Sequence, residues 1–272
     1  MGAAAVSAAG LSARGEAIMS MHRSLPDEVP VAMVFNGSTL AVMMASPADL
    51  RDFALGFALS EGVISGFDQV LELEIAEHPQ GIEARFWLRD DRAAALEARR
   101  RLLAGPVGCG LCGIDSLEQA SRELPILTDT GLRLSRGDVS GATDALSACQ
   151  PLHDQTRATH AAGFLRPGQG IVLAREDVGR HNALDKLIGA LVQAGIDPAT
   201  GAFVMTSRLS VELVQKCAMA GCPVLIAVSA PTAHAVRLAE GAGITLAAFA
   251  RAGGFDLFTH PFRVTPEVPD VS

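Results

Sequence analysis

Two cysteines, Cys109 and Cys112, sit in the segment Gly105-Pro106-Val107-Gly108-Cys109-Gly110-Leu111-Cys112-Gly113. A thiolate can attack a sulfur donor, hold the sulfur as a persulfide and be attacked in turn, and nearby amide dipoles favour the thiolate. Asp115 can cap a helix just beyond the pair, with Glu118 three residues on, so that helix start would lie close to the sulfurs. Four glycines in nine residues cannot hold a regular element, which predicts a mobile loop able to swing between two partners. A second thiol nearby could resolve or relay the sulfur. Other readings stay open. The pair could be half of a zinc site completed by Cys217, Cys222 or histidines. A thioredoxin-like redox pair would follow an apolar strand, whereas a helix and Gly105-Pro106 precede this one. Cys217 and Cys222 read as buried small hydrophobes, one within a helix and one beside a strand start.

A second set of residues could bind an anion. Arg175-Glu176-Asp177-Val178-Gly179-Arg180-His181-Asn182 follows one apolar run, and Thr206-Ser207-Arg208-Leu209-Ser210 follows another. Ser229-Ala230-Pro231-Thr232 and Arg251-Ala252-Gly253-Gly254 follow two more. In an open α/β sheet, ligands sit beyond the carboxyl ends of the strands. Guanidinium groups, hydroxyls and helix starts converging there make an anion site, suited to a nucleotide or a pyrophosphate-containing cofactor. Most of the Ser and Thr are equally explained as helix caps, but the Arg175–Asn182 run is more polar than capping needs. No Gly-x-Gly-x-x-Gly follows a strand and no Gly-x-x-x-x-Gly-Lys-Ser/Thr occurs, which disfavours NAD and excludes a P-loop. Near the end, Phe258-Thr259-His260-Pro261-Phe262-Arg263 closes a last strand, with Phe258 and Phe262 expected as anchors and His260 and Arg263 left free.

The elements that must position these residues fall into two groups. Val31–Phe35 and Thr39–Met44 flank Asn36-Gly37, a hairpin signal. Ser46-Pro47-Ala48-Asp49 reads as a helix start capped by Ser46, followed by Leu50, Phe53, Ala54, Phe57 and Ala58 at helical spacing. Leu71–Ala76 and Ile82–Leu88 read as strands, and Arg92–Ala104 as a helix. Residues 131–154 read as a weakly patterned linker. Strands at 171–174, 203–205, 223–228, 244–249 and 255–259 then alternate with helices at 184–191, 210–220 and 232–240. Such alternation predicts an α/β domain with a mainly parallel sheet. Residues 1–24 read as a flexible tail, 25–150 as a smaller N-terminal α+β domain with the Cys-x-x-Cys loop at 105–113, and 151–272 as the α/β domain.

The 272 residues are 49% hydrophobic, enough for a packed core. A net charge of −8 and 4% aromatic residues argue against nucleic acid as a partner. No run is long and apolar enough to span a bilayer, and residues 1–15 lack the plan of a secretory signal, so the expected location is the cytoplasm. Five cysteines, an odd number, fit a reducing compartment better than a disulfide framework.

Together, Cys109-Gly110-Leu111-Cys112-Gly113, Arg175 to Gly189 (REDVGRHNALDKLIG), Glu212-Leu213-Val214-Gln215-Lys216, Ser229-Ala230-Pro231-Thr232 and Leu55 to Gly62 make the chain resemble the formate dehydrogenase accessory sulfurtransferase family, FdhD, from about Glu28 to Val264. The resemblance implies a sulfur carrier that takes sulfur from a cysteine desulfurase as a persulfide. It passes that sulfur to the bis-molybdopterin guanine dinucleotide molybdenum cofactor before insertion into formate dehydrogenase. It also implies a cytidine-deaminase-like C-terminal domain and a homodimer, with no structural metal. By motif, Cys109 bears the persulfide and Cys112 assists. Phe258, Thr259, His260, Pro261, Phe262 and Arg263 match the cofactor-binding stretch, and Arg180, His181, Arg208 and Ser229 are further candidates. Two segments depart from the family pattern: Thr206-Ser207-Arg208 replaces Ser-Gly-Arg, and Thr156-Arg157-Ala158 replaces Thr-Gly-Gly. Deamination is excluded, because no His-x-Glu occurs and no Pro precedes Cys109. The alternative function is a cofactor-holding chaperone whose Cys pair binds zinc.

Overall fold

A computed structural model describes residues 2–89 and 123–265. The expected helix 92–104, the loop 105–113 with Cys109 and Cys112, and the Asp115 cap lie outside the described residues.

The N-terminal part is built on a four-stranded sheet ordered β4-β3-β6-β5, from β3 (Val29–Phe35), β4 (Ser38–Ala45), β5 (Val70–His78) and β6 (Gly81–Leu88). Asn36 and Gly37 both take positive φ, as the hairpin signal requires. One face of the sheet packs Val31, Met33, Phe35, Ala84 and Phe86 against Phe53, Ala54, Phe57 and Ala58 of helix α1 (Leu50–Ser60). The helix begins three residues later than its sequence signal. Ser46 does not cap it; the left-handed Asp49 precedes it without a side-chain cap bond. Ser46 is instead drawn into a buried charge network described below.

The larger part is a six-stranded sheet ordered β13-β12-β11-β10-β8-β9. Its strands are β8 (His160–Arg166), β9 (Gly170–Asp177), β10 (Ala202–Met205), β11 (Val224–Ala227), β12 (Thr245–Arg251) and β13 (Gly254–Thr259). The sheet is mixed rather than mainly parallel. Only β10–β11 and β11–β12 pair parallel, while β8–β9, β8–β10 and β12–β13 are antiparallel. A hairpin between β8 and β9 and another after β12 replace the crossovers that a parallel sheet would need. One face is covered by α5 (Arg180–Gln193), α6 (Val211–Met219) and α7 (Ala233–Ala242), whose Leu184, Leu187, Leu213, Val214, Ala235 and Ala239 meet Phe164, Phe203, Leu225 and Leu246. The other face is covered by short helices α2 (Arg136–Ser140) and α3 (Ala142–Ser147), through Val139, Ala142 and Leu146.

Two sequence expectations change here. Residues 131–154 are not a linker: α2, α3 and the start of α4 (Pro151–Thr156) occupy them, and Leu134, Val139 and Leu146 are fully buried under the large sheet. Leu124 and Leu127 pack on the other, α5–α7 face of the same sheet. Residues 5–26 are not a tail. They form an antiparallel hairpin, β1 (Ala5–Arg14) and β2 (Ala17–Pro26), turned at Gly15 with positive φ, and the hairpin lies against α4. Alanine, serine and glycine hid its alternation from a hydrophobic count. The remaining strands, β7 (Leu134–Ser135) and β14 (Val264–Thr265), pair with each other.

Helix α1 is buried on two sides. One side meets the small sheet; the other crosses α5 at Gly56 and Gly189. A Cβ on Gly189 would fall into the Asp52 carbonyl, and one on Gly56 into the Asp185 carbonyl, so only glycine lets the two backbones touch. Three polar links flank this contact. Arg175 Nε donates to Asp52 Oδ2 at 2.7 Å, and Gln193 Nε2 donates to Asp52 Oδ1. Lys216 Nζ donates to Ser60 Oγ, Glu61 Oε1 and Asp185 Oδ2 at 2.8–2.9 Å. Lys186, 0% exposed, pairs with Asp177 at 2.7 Å and donates to the Ser46 carbonyl. The Ser46 amide and hydroxyl complete that knot, bonding Asp177 Oδ2 and the Val178 amide. A paired, hydrogen-bonded ion is the form in which a charge persists in a core.

Candidate functional site

Strands β9, β10, β11 and β12 run the same way, and their carboxyl ends share an edge with the start of β8. Val178, Thr206, Val228 and His160 meet there, and with Thr143, Ser147, Gln150, His153, Arg157, Ala158 and Thr159 they line a cavity of about 480 Å³. No Asp or Glu lines it. His153 Nδ1 lies 3.0 Å from the Thr159 carbonyl, so in the neutral ring Nδ1 carries the proton and Nε2 accepts. Burial first, then the charges of Arg180 and His153, holds His160 below the usual histidine range. Arg157 closes α4 in the left-handed conformation, φ 57°. The missing glycine at this position therefore leaves the turn intact and adds a cation at the cavity. Ser207 is not among the left-handed residues, so it takes its place without strain; its hydroxyl donates to the Arg208 carbonyl.

Across the Val228–Pro231 loop lies an apolar groove of about 400 Å³, lined by Ala230, Pro231, Ala233, Val236, Phe249 and Phe258. The rings of Phe249 and Phe258 stand 6.4 Å apart. Phe249 holds φ at 52° at an irregularity of the β12–β13 pairing, a strained setting for an aromatic residue. Thr232 is an ordinary cap, accepting from the Ala235 amide.

The Arg175–Asn182 run divides in two. Arg175, Asp177 and Asn182 are structural: they bond Asp52, Lys186 with Ser46, and the Met44 carbonyl. Glu176 accepts from the Leu152 and His153 amides, fixing α4 beside the cavity. Arg180 and His181 alone remain for a ligand. Arg180 Nε is buried without a partner among the described residues. His181 faces Ser210 at 3.5 Å and Glu212 at 3.9 Å; burial, then Arg180 and Lys216, pushes it down to about 4, so it is neutral near pH 7. Arg208 is exposed and Ser229 half-buried, both on the strand-end loops.

The stretch 258–263 is arranged differently from its sequence expectation. Thr259 pairs with Leu246 and His260 bonds the Glu240 carbonyl, which places Thr259–Arg263 at the opposite edge of the sheet from the strand-end loops. The anchors are also exchanged. Phe258 and Phe262 are 40% and 46% exposed, whereas Arg263 is 1% exposed. Its guanidinium donates to the Gly243 carbonyl and Thr245 Oγ1, and reaches the Thr128 carbonyl at 3.5 Å. Arg263 is thus not free for a ligand; it ties residue 128 to β12. Thr259 is buried, bonding the Ile244 carbonyl, and Pro261 opens a 3-10 turn.

Cys109 and Cys112 lie outside the described residues. Cys217 and Cys222 are fully buried, and their Sγ atoms donate to the carbonyls of Cys222, Gly201 and Val224. Burial, then Cys222, raises the Cys217 pKa well above its usual value. Both are core thiols spent on backbone carbonyls. Cys149 is half-buried, its Sγ facing the Ala145 carbonyl. Among the described residues no three His, Cys, Asp or Glu side chains gather as a metal site.

The model of the FdhD/NarQ family matches residues 26–265. The chain belongs to that family. It is 54% identical over 243 residues to a sulfur carrier protein FdhD from Agrobacterium fabrum, covering 89% of this chain and 90% of the relative. It is 49% identical over 261 residues to the Cupriavidus necator protein of the same name, covering 93% and 88%. A crystal structure of a formate dehydrogenase accessory protein from Desulfotalea psychrophila shares the fold, with a TM-score of 0.76 at 24% identity over 97% of this chain and all of that one. The strand-end loops expected to face a ligand supply Val178 and Thr206 to this cavity, whereas Thr143, Ser147, Gln150 and His153 come from what read as linker.

Proposed function

We propose that this chain is a sulfur carrier that moves sulfur from a cysteine desulfurase to the bis-molybdopterin guanine dinucleotide molybdenum cofactor, before that cofactor enters formate dehydrogenase. Elimination among the cysteines carries the reading. Cys217 and Cys222 are sealed in the core with their thiols donating to carbonyls, so neither can meet a partner protein. Cys149 is single and half-buried, its Sγ on the Ala145 carbonyl, so Cys109 and Cys112 are the close pair that remains. The Cys109 thiolate attacks the terminal sulfur of the donor's persulfide and the donor's cysteine departs as a thiolate. Attack of Cys112 on the Cys109 sulfur then releases hydrosulfide for the metal and leaves a disulfide, which a dithiol reductant reopens.

The acid-free cavity and the Phe249–Phe258 groove, on either side of the Val228–Pro231 loop, suit a long ligand with polar and planar parts. Arg180, His181, Arg208 and Ser229 would serve that ligand at the strand-end edge and Phe258 in the groove, while Phe262 stands with Arg263 at the opposite edge and would meet only a part of the ligand that reaches there. The net charge of −8 favours a local anion site over general attraction to polyanions. Among the described residues no helix is long and apolar enough to cross a membrane. Action in the cytoplasm as a homodimer belongs to the same proposal.

Incubation of the full chain with a desulfurase and cysteine, read by mass spectrometry, is expected to show one labile added sulfur that Cys109→Ala removes. Unchanged loading in that variant refutes Cys109 as the carrier.

A further inference from the structure

The β1–β2 hairpin reaches out from the rest of the chain. It lies against α4, and every residue from Ala13 to Ser20 at its far end is exposed. That end is nonetheless apolar: Leu11, Ile18 and Met19 are 71%, 69% and 57% exposed. Side chains alternate along a strand, and Ile18 pairs with Ala13, so Leu11 and Ile18 share one face while Met19 takes the other. No face of the tip is buried within its own chain. The outer edges are unguarded as well, with no Lys and no Pro between Ala5 and Leu25. A two-stranded ribbon alone in water is marginal, and exposed apolar surface of this kind marks a contact. Its charges are Arg14 and Arg23 against one acid, Glu16, in a chain whose net charge is −8.

A second uncovered surface carries the opposite charge. Helix α1 packs on one face of the small sheet, and the other face shows Val42, Met44 and Trp87, all exposed. Strands β3 and β4 contain no charged residue, and Ala32 and Pro30 lie beside Val42 and Met44. Trp87 stands opposite Glu72, with Glu74 and Glu83 farther along the same face. Arg85 bonds both Glu74 and Glu83, so one guanidinium stands against three acids and the margin stays negative. An apolar strip with an acidic margin matches an apolar arm with two arginines. We propose that the β1–β2 arm docks on the outer face of the small sheet of a second copy of this chain. The tip would cover Val42, Met44 and Trp87, and the arginines would approach Glu72 and Glu74. A two-fold axis exchanges the arms, so the contact forms twice and one closed dimer covers both surfaces. The inference rests on the homodimer of the proposed function and names the surfaces that make it.

The test uses the full chain carrying Ile18→p-benzoylphenylalanine, mixed in normal and heavy-nitrogen forms, irradiated and read by peptide mass spectrometry. Cross-links are expected between residue 18 of one chain and residues 29–45 or 70–88 of the other. Cross-links confined to one chain, or to other regions of the second chain, overturn the proposal. A cross-link that forms only when a cysteine desulfurase is added, and joins the arm to that protein, also overturns it and assigns the arm to the sulfur donor. Sedimentation gives an independent reading. The triple variant Leu11→Ser, Ile18→Ser and Met19→Ser changes only exposed side chains, and it is expected to weaken self-association at least about tenfold. Val42→Ser with Trp87→Ser is expected to do the same from the other surface, and added salt to weaken the parent by screening the charges. A parent that stays monomeric, or an arm variant that associates as tightly as the parent, overturns the proposal. Persulfide loading of Cys109 is read separately, so a dimer without loading would refute the sulfur carrier and leave the arm contact standing.

Discussion

Replacing Lys216 by Met leaves Asp185 in the core with Ser60 as its remaining close donor. In the native protein Lys216 Nζ lies 2.9 Å from Asp185 Oδ2 and Ser60 Oγ lies 2.6 Å from Oδ1. Two carboxylates hold the Lys216 pKa above its usual value against the opposing effect of burial. Burial raises Asp185 to about 6 even with that cation present. An aspartate in the unfolded chain titrates near 3.9, so without the cation the folded pKa stands at least about two units higher, and each unit is about 1.4 kcal/mol. The parent already carries that rise, so the variant's deficit at pH 7.5 is the further rise once the cation is gone, about 3–5 kcal/mol for a buried charge stripped of its partner. The sign follows from linkage. A raised acid binds more protons folded than unfolded, so the penalty grows as pH climbs from about 4 towards the folded value and shrinks as pH falls. Urea unfolding of Lys216→Met at pH 7.5 and pH 5 is expected to show the larger deficit at pH 7.5, with Asp185→Asn restoring part of it. A variant as stable as the parent at pH 7.5, or one hurt more at pH 5, would refute the reasoning.

Gly189→Ala forces a methyl into the Asp52 carbonyl across the α1–α5 crossing and should cost about 3 kcal/mol, the upper end of overpacking, seen as a lower urea midpoint. Arg157→Gly should raise the thermal midpoint slightly. Relief of about 1–2 kcal/mol of left-handed strain exceeds the roughly 0.5–1 kcal/mol of added chain entropy; a fall in the midpoint would show that the Arg157 side chain stabilises the fold.

What could be read from the sequence was local. Asn36-Gly37, the 3.6-residue spacing of Leu184, Leu187 and Leu191, and the alternation of Ile82, Ala84, Phe86 and Leu88 each carry their instruction within a few residues, and each matches an observed element. Strand β8 was not read because Ala161-Ala162-Gly163 offers little hydrophobic contrast, although the first two are fully buried. The mixed sheet followed from that omission. The polarity of the Arg175–Asn182 run was visible, but its meaning was not: Asp177 finds Ser46 and Arg175 finds Asp52 more than a hundred residues away. Arg263 misled for the same reason, since its acceptors are carbonyls, which every residue carries. Ser46 had all the marks of a cap and was taken by a stronger demand, the buried Asp177 carboxylate. The spacing of Cys109 and Cys112 was legible as chemistry from the start. The strand-end cavity was legible in part, since Val178 and Thr206 lie in loops read as facing a ligand, while Thr143, Ser147, Gln150 and His153 carry no motif.

The knots at Asp52–Arg175, Ser46–Asp177 and Ser60–Lys216 each join an early segment to a late one. During synthesis the first ninety residues leave the ribosome long before residues 175–216 exist, and N-terminal parts ordinarily fold first. Here the flank of α1 that α5 will cover stays wet until translation is nearly complete. Expressing either half by itself would strand Asp52 or Arg175, which only the other half neutralises, so the gene tolerates splitting poorly even though the two larger sheets are distinct.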